Sequence, residues 1–251
     1  MLSHITFTGW DGHTDLEALK DFLRAYPPRS IEVAVLISEG RMGNDRYPEV
    51  AHAHRLLETA QEARQRTALH VCGPQARAMI SLGGRTTLVA GLVTSADRVQ
   101  INVATMEWLT PAHTIARTID RTVIVQHRNP LGWPEAQPGV EYLFDRSGGR
   151  GESLLTTRSG EPCGYPTPAP DRTVGYAGGL GPDNVAEFMG RIYARNGRNE
   201  RYWIDMETGI RERLDSYPGG PKVAADVPPP TQVSIAKCRA VMSACQRWFR
   251  P

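Results

Sequence analysis

The segment Gly175-Tyr-Ala-Gly-Gly-Leu-Gly-Pro-Asp-Asn-Val185 has the composition of an anion cradle. A short apolar run passes into glycines and then into a helix opened by Pro182. Glycines let backbone N–H groups approach an oxyanion closely, and a helix N-terminus adds unpaired donors and partial positive charge. Gly178, Gly179 and Gly181 are therefore candidate phosphate contacts, although a tight strand-to-helix turn without a ligand uses the same residues. One element later, Trp203-Ile-Asp-Met-Glu-Thr-Gly-Ile-Arg211 ends a second strand in Glu207, Thr208 and Gly209, which offer further backbone donors and a hydroxyl. Asp205 and Glu207 add negative charge there, tolerable to an anion only if they point away or bind ligand hydroxyls.

These segments need a scaffold that brings them side by side. Eight short apolar runs alternate with helix-like stretches: His4–Thr8, Ile31–Ile37, Ala68–Val71, Arg98–Val103, Thr122–Gln126, Glu141–Phe144, Val174–Ala177 and Tyr202–Met206. The nearly continuous apolar run Ile31–Ile37 suits a parallel strand covered on both faces. Thr14-Asp-Leu-Glu17 reads as a capping box before Leu16, Leu19, Phe22 and Leu23. Pro48 and Pro182 open further helices, and Ile235, Cys238, Val241, Met242 and Cys245 mark the last one. The alternation predicts one α/β domain over residues 1–251, a (β/α)8 TIM barrel of the ribulose-phosphate-binding type, and the length is close to the roughly 250 residues typical of that fold. In such a barrel the loops after strands seven and eight together hold phosphate. Two stretches interrupt the rhythm: a long Gly/Pro/Ser/Thr-rich loop at about 151–172, read as a lid or a disordered insertion, and a Pro/Gly-rich connection at about 216–230.

Bulk properties exclude several classes. A formal charge of +2 with no run of like charges argues against nucleic acid or a membrane surface as partner. No run of 18 apolar residues suggests a transmembrane helix, and Met1–Gly12 lacks the features of a signal peptide, so a cytoplasmic location is expected. The four cysteines match neither a metal framework nor a disulfide scaffold, so no metal is expected; Cys238 and Cys245, seven apart, read as core.

The segments also resemble a known family. Ala177-Gly-Gly-Leu-Gly-Pro-Asp-Asn-Val185 is similar to the strand-seven phosphate motif of phosphoribosylanthranilate isomerases, and Asp205-Met-Glu-Thr-Gly-Ile210 to their strand-eight motif. Tyr142-Leu-Phe-Asp-Arg-Ser-Gly-Gly-Arg-Gly151 resembles their strand-six motif, and Arg46-Tyr-Pro48 the element after strand two. The resemblance implies an Amadori rearrangement, aminoaldose phosphate to aminoketose phosphate, without a cofactor. It makes Asp145 the general acid, although such a residue also serves to cap its own glycine-rich loop. Arg46 becomes a bidentate partner for a substrate carboxylate, or else a solvated loop arginine.

The chain departs from that family at the base. Thr8 stands where the family has cysteine, and a threonine hydroxyl is too weak a base alone. Asp11, three residues on, is either a substitute or the cap of the helix beginning near Thr14. Gln100-Ile-Asn-Val103 replaces the strand-four element of the family, placing Asn102 at the ligand, and His70 is the nearest spare imidazole, although a histidine there, like His127, also reads as a core or rim residue. The sequence thus predicts an isomerase of a phosphorylated sugar or aminosugar with a changed substrate, or a non-catalytic sugar-phosphate or nucleotide sensor on the same barrel. A Schiff-base lyase is disfavoured because Lys20, Lys222 and Lys237, the only lysines, lie away from strand ends.

Overall fold

The computed structural model describes residues 1–44, 46–85, 90–103, 111–146, 152–156, 163–196, 200–214 and 231–249. The strands β1 (Leu2–Thr8), β2 (Ile31–Ile37), β3 (Arg66–Cys72), β4 (Arg98–Asn102), β5 (Thr122–His127), β6 (Val140–Asp145), β7 (Val174–Ala177) and β8 (Tyr202–Met206) pair in parallel in sequence order. Pairing of β8 with β1 closes the barrel. All eight predicted runs are strands, displaced at their ends by two residues at most. The helices are α1 (Leu16–Arg24), α2 (Val50–Glu62), α3 (Gly73–Ser81), α4 (Ala90–Ser95), α5 (Ala112–Ile119), α6 (Val185–Asn196) and α7 (Ile235–Cys245). A short antiparallel pair, β9 (Arg211–Arg213) with β10 (Thr231–Val233), follows β8 and was not foreseen. No helix of the described residues is long and apolar enough to cross a membrane.

Two sequence expectations need correction. The first helix is capped by Asp15, whose carboxylate accepts from the backbone N–H groups of Glu17 and Ala18. Thr14 instead accepts from the Asp11 N–H. The β/α alternation also fails twice, since among the described residues no helix follows β5 or β6. Proline explains both omissions: Pro130, Pro134 and Pro138 recur within one connection, and Pro166, Pro168 and Pro170 within the other. Aromatic packing takes the place of the missing helices. Trp133 packs edge-on against Tyr176 at 5.7 Å and donates to the Thr167 carbonyl, and Tyr165 packs on Tyr176 and Phe188. The described part of the 151–172 loop is packed: Leu154, Leu155, Cys163, Tyr165 and Ala169 are buried. Residues 157–162 of that loop and the connection at 216–230 lie outside the described residues.

Side chains alternate inward and outward along each strand. Outward residues such as Ile5, Phe7, Val33, Val35, Leu69, Val71, Val123 and Ile204 join the helices in one large apolar cluster. The inward set is different. Ile124, Leu143 and Trp203 form a small separate cluster, with Gly175 opposite Trp203, where a Cβ would lie 2.3 Å from the indole. Beneath it, at the N-terminal end of the strands, sits a buried ionic group in place of the branched aliphatic residues usual in such barrels. The Arg98 guanidinium donates to both oxygens of Glu32, to Glu141 and to Nε2 of His4, and lies 4.5 Å from the Trp203 ring centroid. Burial opposes the charge on Arg98, but Glu32 and Glu141 outweigh it and strengthen the guanidinium as a cation. His4 is held neutral by burial and by Arg98, so its 4.0 Å approach to Glu32 is not an ion pair.

Removing one member of a buried ionic group strands the others. Arg98→Met is expected to destabilise the protein by about 3–5 kcal/mol in urea denaturation. A loss below about 1 kcal/mol would mean that the cluster is not what fills the barrel.

Candidate functional site

Inward positions two residues apart reach the C-terminal end of the barrel as one polar layer. Thr8, His70, Gln100, Asn102, Gln126, Asp145 and Asp205 line a cleft there, closed on one side by Gly178, Gly179 and Leu180 and by Glu207, Thr208 and Gly209. The predicted residues Thr8, His70, Asn102, Asp145, Gly178, Gly179, Glu207, Thr208 and Gly209 thus come together. Asp11, Arg46 and Gly181 do not line the cleft, each for an identifiable reason.

Asp11 is 1% exposed and faces Arg211, 3.0 Å away, while accepting from the His13 backbone N–H. Burial raises its pKa and the Arg211 charge opposes that rise. Arg211 also donates to the Gly9 carbonyl and to Thr231, so the pair fastens the β1 loop to the β9–β10 ladder. Arg46 adopts a left-handed backbone (φ 58°) and pairs with Glu207 at 2.7 Å, at the rim of the cleft. Gly181 gives its N–H to the Asn184 side chain and packs against the Gly209 backbone. Its role is close approach: a Cβ on Gly209 would fall 2.1 Å from the Leu180 carbonyl oxygen, so the loops after β7 and β8 touch through glycine alone.

The glycine turn retains free donors. Gly178 (φ 136°) and Gly179 (φ 56°) hold conformations that favour glycine. The Gly178 carbonyl accepts from Leu154 and that of Gly179 from the Asn184 side chain, which turns the carbonyls toward other loops. Among the described residues, the N–H groups of Gly179 and Leu180 meet no acceptor, and both residues line the cleft.

Asp205, which the sequence offered only as negative charge beside the anion or a partner for ligand hydroxyls, stands in the cleft wall. Strand register places Asp145, Ala177 and Asp205 in one row across β6, β7 and β8. Neighbouring strands lie about 4.8 Å apart, so the two carboxylates flank a small alanine at roughly twice that spacing. Thr8 donates to Asp205 at 2.6 Å. Burial pushes the Asp205 carboxyl up to about 7; the Thr8 hydrogen bond works against the rise, and the negative charges of Glu207, Glu32 and Asp145 add to it. A carboxyl that changes state near neutral pH can both take and return a proton. Its signal was available: Asp205 lies two residues after the inward Trp203, on the strand beside Thr8.

His70 presents the complementary feature. It is 2% exposed, its Nε2 has no hydrogen-bond partner, and burial lowers its pKa to about 3. A neutral imidazole with an unsatisfied nitrogen in a cleft wall suits a ligand hydroxyl. Asn102 accepts from Gln100 and donates to Cys72, whose thiol is pushed by burial up to about 11 and stays protonated. His127 is tied to the Gly132 carbonyl and to Trp133, outside the cleft. Among the described residues no three His, Cys, Asp or Glu side chains form a metal-ligand set.

No protein-family model matches the chain, and no curated protein matches it. Thiamine phosphate pyrophosphorylase from Pyrococcus furiosus aligns over 99% of this chain and 98% of its own at 10% identity, with TM-score 0.49. A chain of the tryptophan synthase α2β2 complex from Pyrococcus furiosus aligns over 83% and 88% at 12% identity, with TM-score 0.46. The pneumococcal virulence factor StrH aligns over 99% and 84% at 9% identity, with TM-score 0.48. The barrel is established by its own strand pairing, and these distant likenesses carry no argument about chemistry.

The raised pKa of Asp205 has a stability consequence. Below about pH 4 the carboxyl is protonated in both folded and unfolded chains. As pH rises toward 7 the unfolded chain ionises first, so the folded state loses stability until the folded group also ionises. Asp205→Asn removes that loss. Its stability relative to the parent should rise between pH 4 and 7 and then level off, by on the order of 4 kcal/mol. A difference that stays constant from pH 4 to 8 would show that Asp205 titrates normally.

Proposed function

We propose that the protein is an aldose–ketose isomerase acting on a phosphorylated sugar or aminosugar. One observation carries the reading: two inward carboxylates, one titrating near neutrality, share a cleft with a glycine turn whose Gly179 and Leu180 N–H groups meet no acceptor among the described residues. In this reading Gly179 and Leu180 hold the phosphate from β7, and Thr208 and Gly209 close on it from β8. Asp205 is the general base, in place of the cysteine that the resembling family carries at the position of Thr8. Its carboxylate removes the proton from the carbon beside the carbonyl or iminium, and Thr8 orients it. Asp145 is the acid, delivering a proton to the ring oxygen as the sugar opens. His70 takes a substrate hydroxyl on its unsatisfied nitrogen.

Arg46 argues for a changed substrate. The resemblance would assign it to a substrate carboxylate, yet Glu207 already pairs with it. A second anion there would have to displace Glu207, so the proposed substrate carries no carboxylate at that end.

The test is turnover of phosphorylated aldoses and aminoaldoses. Asp205→Asn is expected to lower kcat by about 10²–10⁴-fold and to remove the rise in rate through pH 7. Asp145→Asn should lower kcat while sparing phosphate binding, and Gly179→Val should abolish that binding. Binding of the sugar phosphate without turnover at any pH would exclude the isomerase and favour a sensor. Turnover nearly intact in Asp205→Asn would remove Asp205 as base.

A further inference from the structure

A cavity of about 1090 Å³ lies at the opposite end of the barrel from the cleft. Arg29, from the loop before β2, Arg66, at the start of β3, Arg201, before β8, and Arg247, after α7, stand on its wall. Among the described residues no aspartate or glutamate lines it. None of the four arginines has an ion pair among the described residues, and the buried Nε of Arg66 has no acceptor.

Local carboxylates correct this imbalance only in part: Glu32 and Glu141 favour the Arg66 charge through space, behind the opposing effects of burial, Arg29 and Arg98. Glu32 and Glu141, the acidic residues beneath the barrel floor, are engaged by Arg98. Arg66, Arg29 and Arg201 are close enough together that all three, after burial and Arg98, help hold His4 neutral. Like charges gathered around a concave surface without counter-charge repel one another, and an unsatisfied buried donor adds desolvation cost. A bound polyanion removes both costs. A single phosphate meets one or two guanidiniums; four arginines match a chain of phosphates, each able to accept bidentate hydrogen bonds.

Apart from Ser3, Ser30, Ser243 and Gln246, the remaining wall is apolar. Tyr26 and Phe249 line the same cavity, which is slightly larger than the roughly 300–1,000 Å³ usual for small-molecule sites. Such a surface suits the flat face of a nucleobase. We propose that this cavity is a second binding site, independent of the catalytic cleft, for a nucleoside di- or triphosphate, with the phosphates on Arg29, Arg66, Arg201 and Arg247 and the base against Tyr26 and Phe249.

Isothermal titration of the full chain with ADP and with adenosine tests the proposal. ADP is expected to bind at least about tenfold more tightly than adenosine, and less tightly as salt rises. The exposed pair Arg201→Glu/Arg247→Glu should weaken ADP by at least about tenfold. If circular dichroism shows that this variant has lost its fold, Arg201→Gln/Arg247→Gln serves, with a loss in the same direction. Gly179→Val, which alters only the catalytic cleft, should leave ADP binding unchanged. Absence of ADP binding at millimolar concentration, binding indifferent to the arginine substitutions, or binding lost in Gly179→Val would each overturn the proposal, the last by moving the nucleotide to the cleft.

Discussion

The ion cluster around Arg98 is the constraint on which the interior of this barrel depends. An arginine on an inward position of β4 cannot be left alone in a closed parallel barrel, where the charge would be buried without water. Glu32 on β2, Glu141 on β6 and His4 on β1 converge on it, so members of four strands are tied by one guanidinium. Trp203 on β8 lies on its face, and Gly175 on β7 makes room for the indole. Six of the eight strands thus meet in one interlocked group. Buried ion pairs are weak evidence for net stability, but they penalise any register that separates their members. Here a one-residue slip of β4 would turn Arg98 outward into the apolar layer.

That floor shapes the opposite end. With register fixed, each inward position two or four residues further along a strand must face the cleft, which is why Thr8, His70, Gln100, Asn102, Asp145 and Asp205 arrive there together. The cluster also acts at a distance: Glu32 helps raise Asp205 and Arg98 helps depress His70, each after the larger effect of burial. The cleft therefore combines a carboxyl poised near neutrality with a neutral imidazole. The Asp11–Arg211 pair does separate work, anchoring the β1 loop to the segment after β8. Its carboxylate is a structural group that a sequence reader meets first because it lies nearest to Thr8.

Much of the scaffold was legible because a parallel barrel writes a repeating signal. All eight strands are visible as apolar runs, and the glycines of β7 and β8 mark the place where two loops must touch. What was illegible was mostly tertiary. Proline blocked the helices after β5 and β6, yet nothing local in Trp133 or Tyr165 announces that aromatic rings will cover β7 in their stead. Chain proximity to Thr8 made Asp11 the candidate substitute base, whereas barrel closure brings Asp205, 197 residues away, to the Thr8 hydroxyl. Arg46 resembled a substrate contact, and only the folded chain shows that Glu207 reaches it. Strand parity was the one unused sequence signal: Trp203 and Asp205, two apart on β8, had to face the same side.

The central claim is spatial: the phosphate turn and Asp205 serve one ligand. A crystal structure of the protein with bound ribose 5-phosphate tests it most directly. The account predicts the phosphate on the Gly179 and Leu180 N–H groups against Gly209, with the second sugar carbon within about 3–3.5 Å of an Asp205 carboxylate oxygen. A phosphate bound there with the sugar directed away from Asp205 would contradict the acid–base assignment. An empty cleft, with the sugar phosphate bound elsewhere on the barrel, would contradict the site itself.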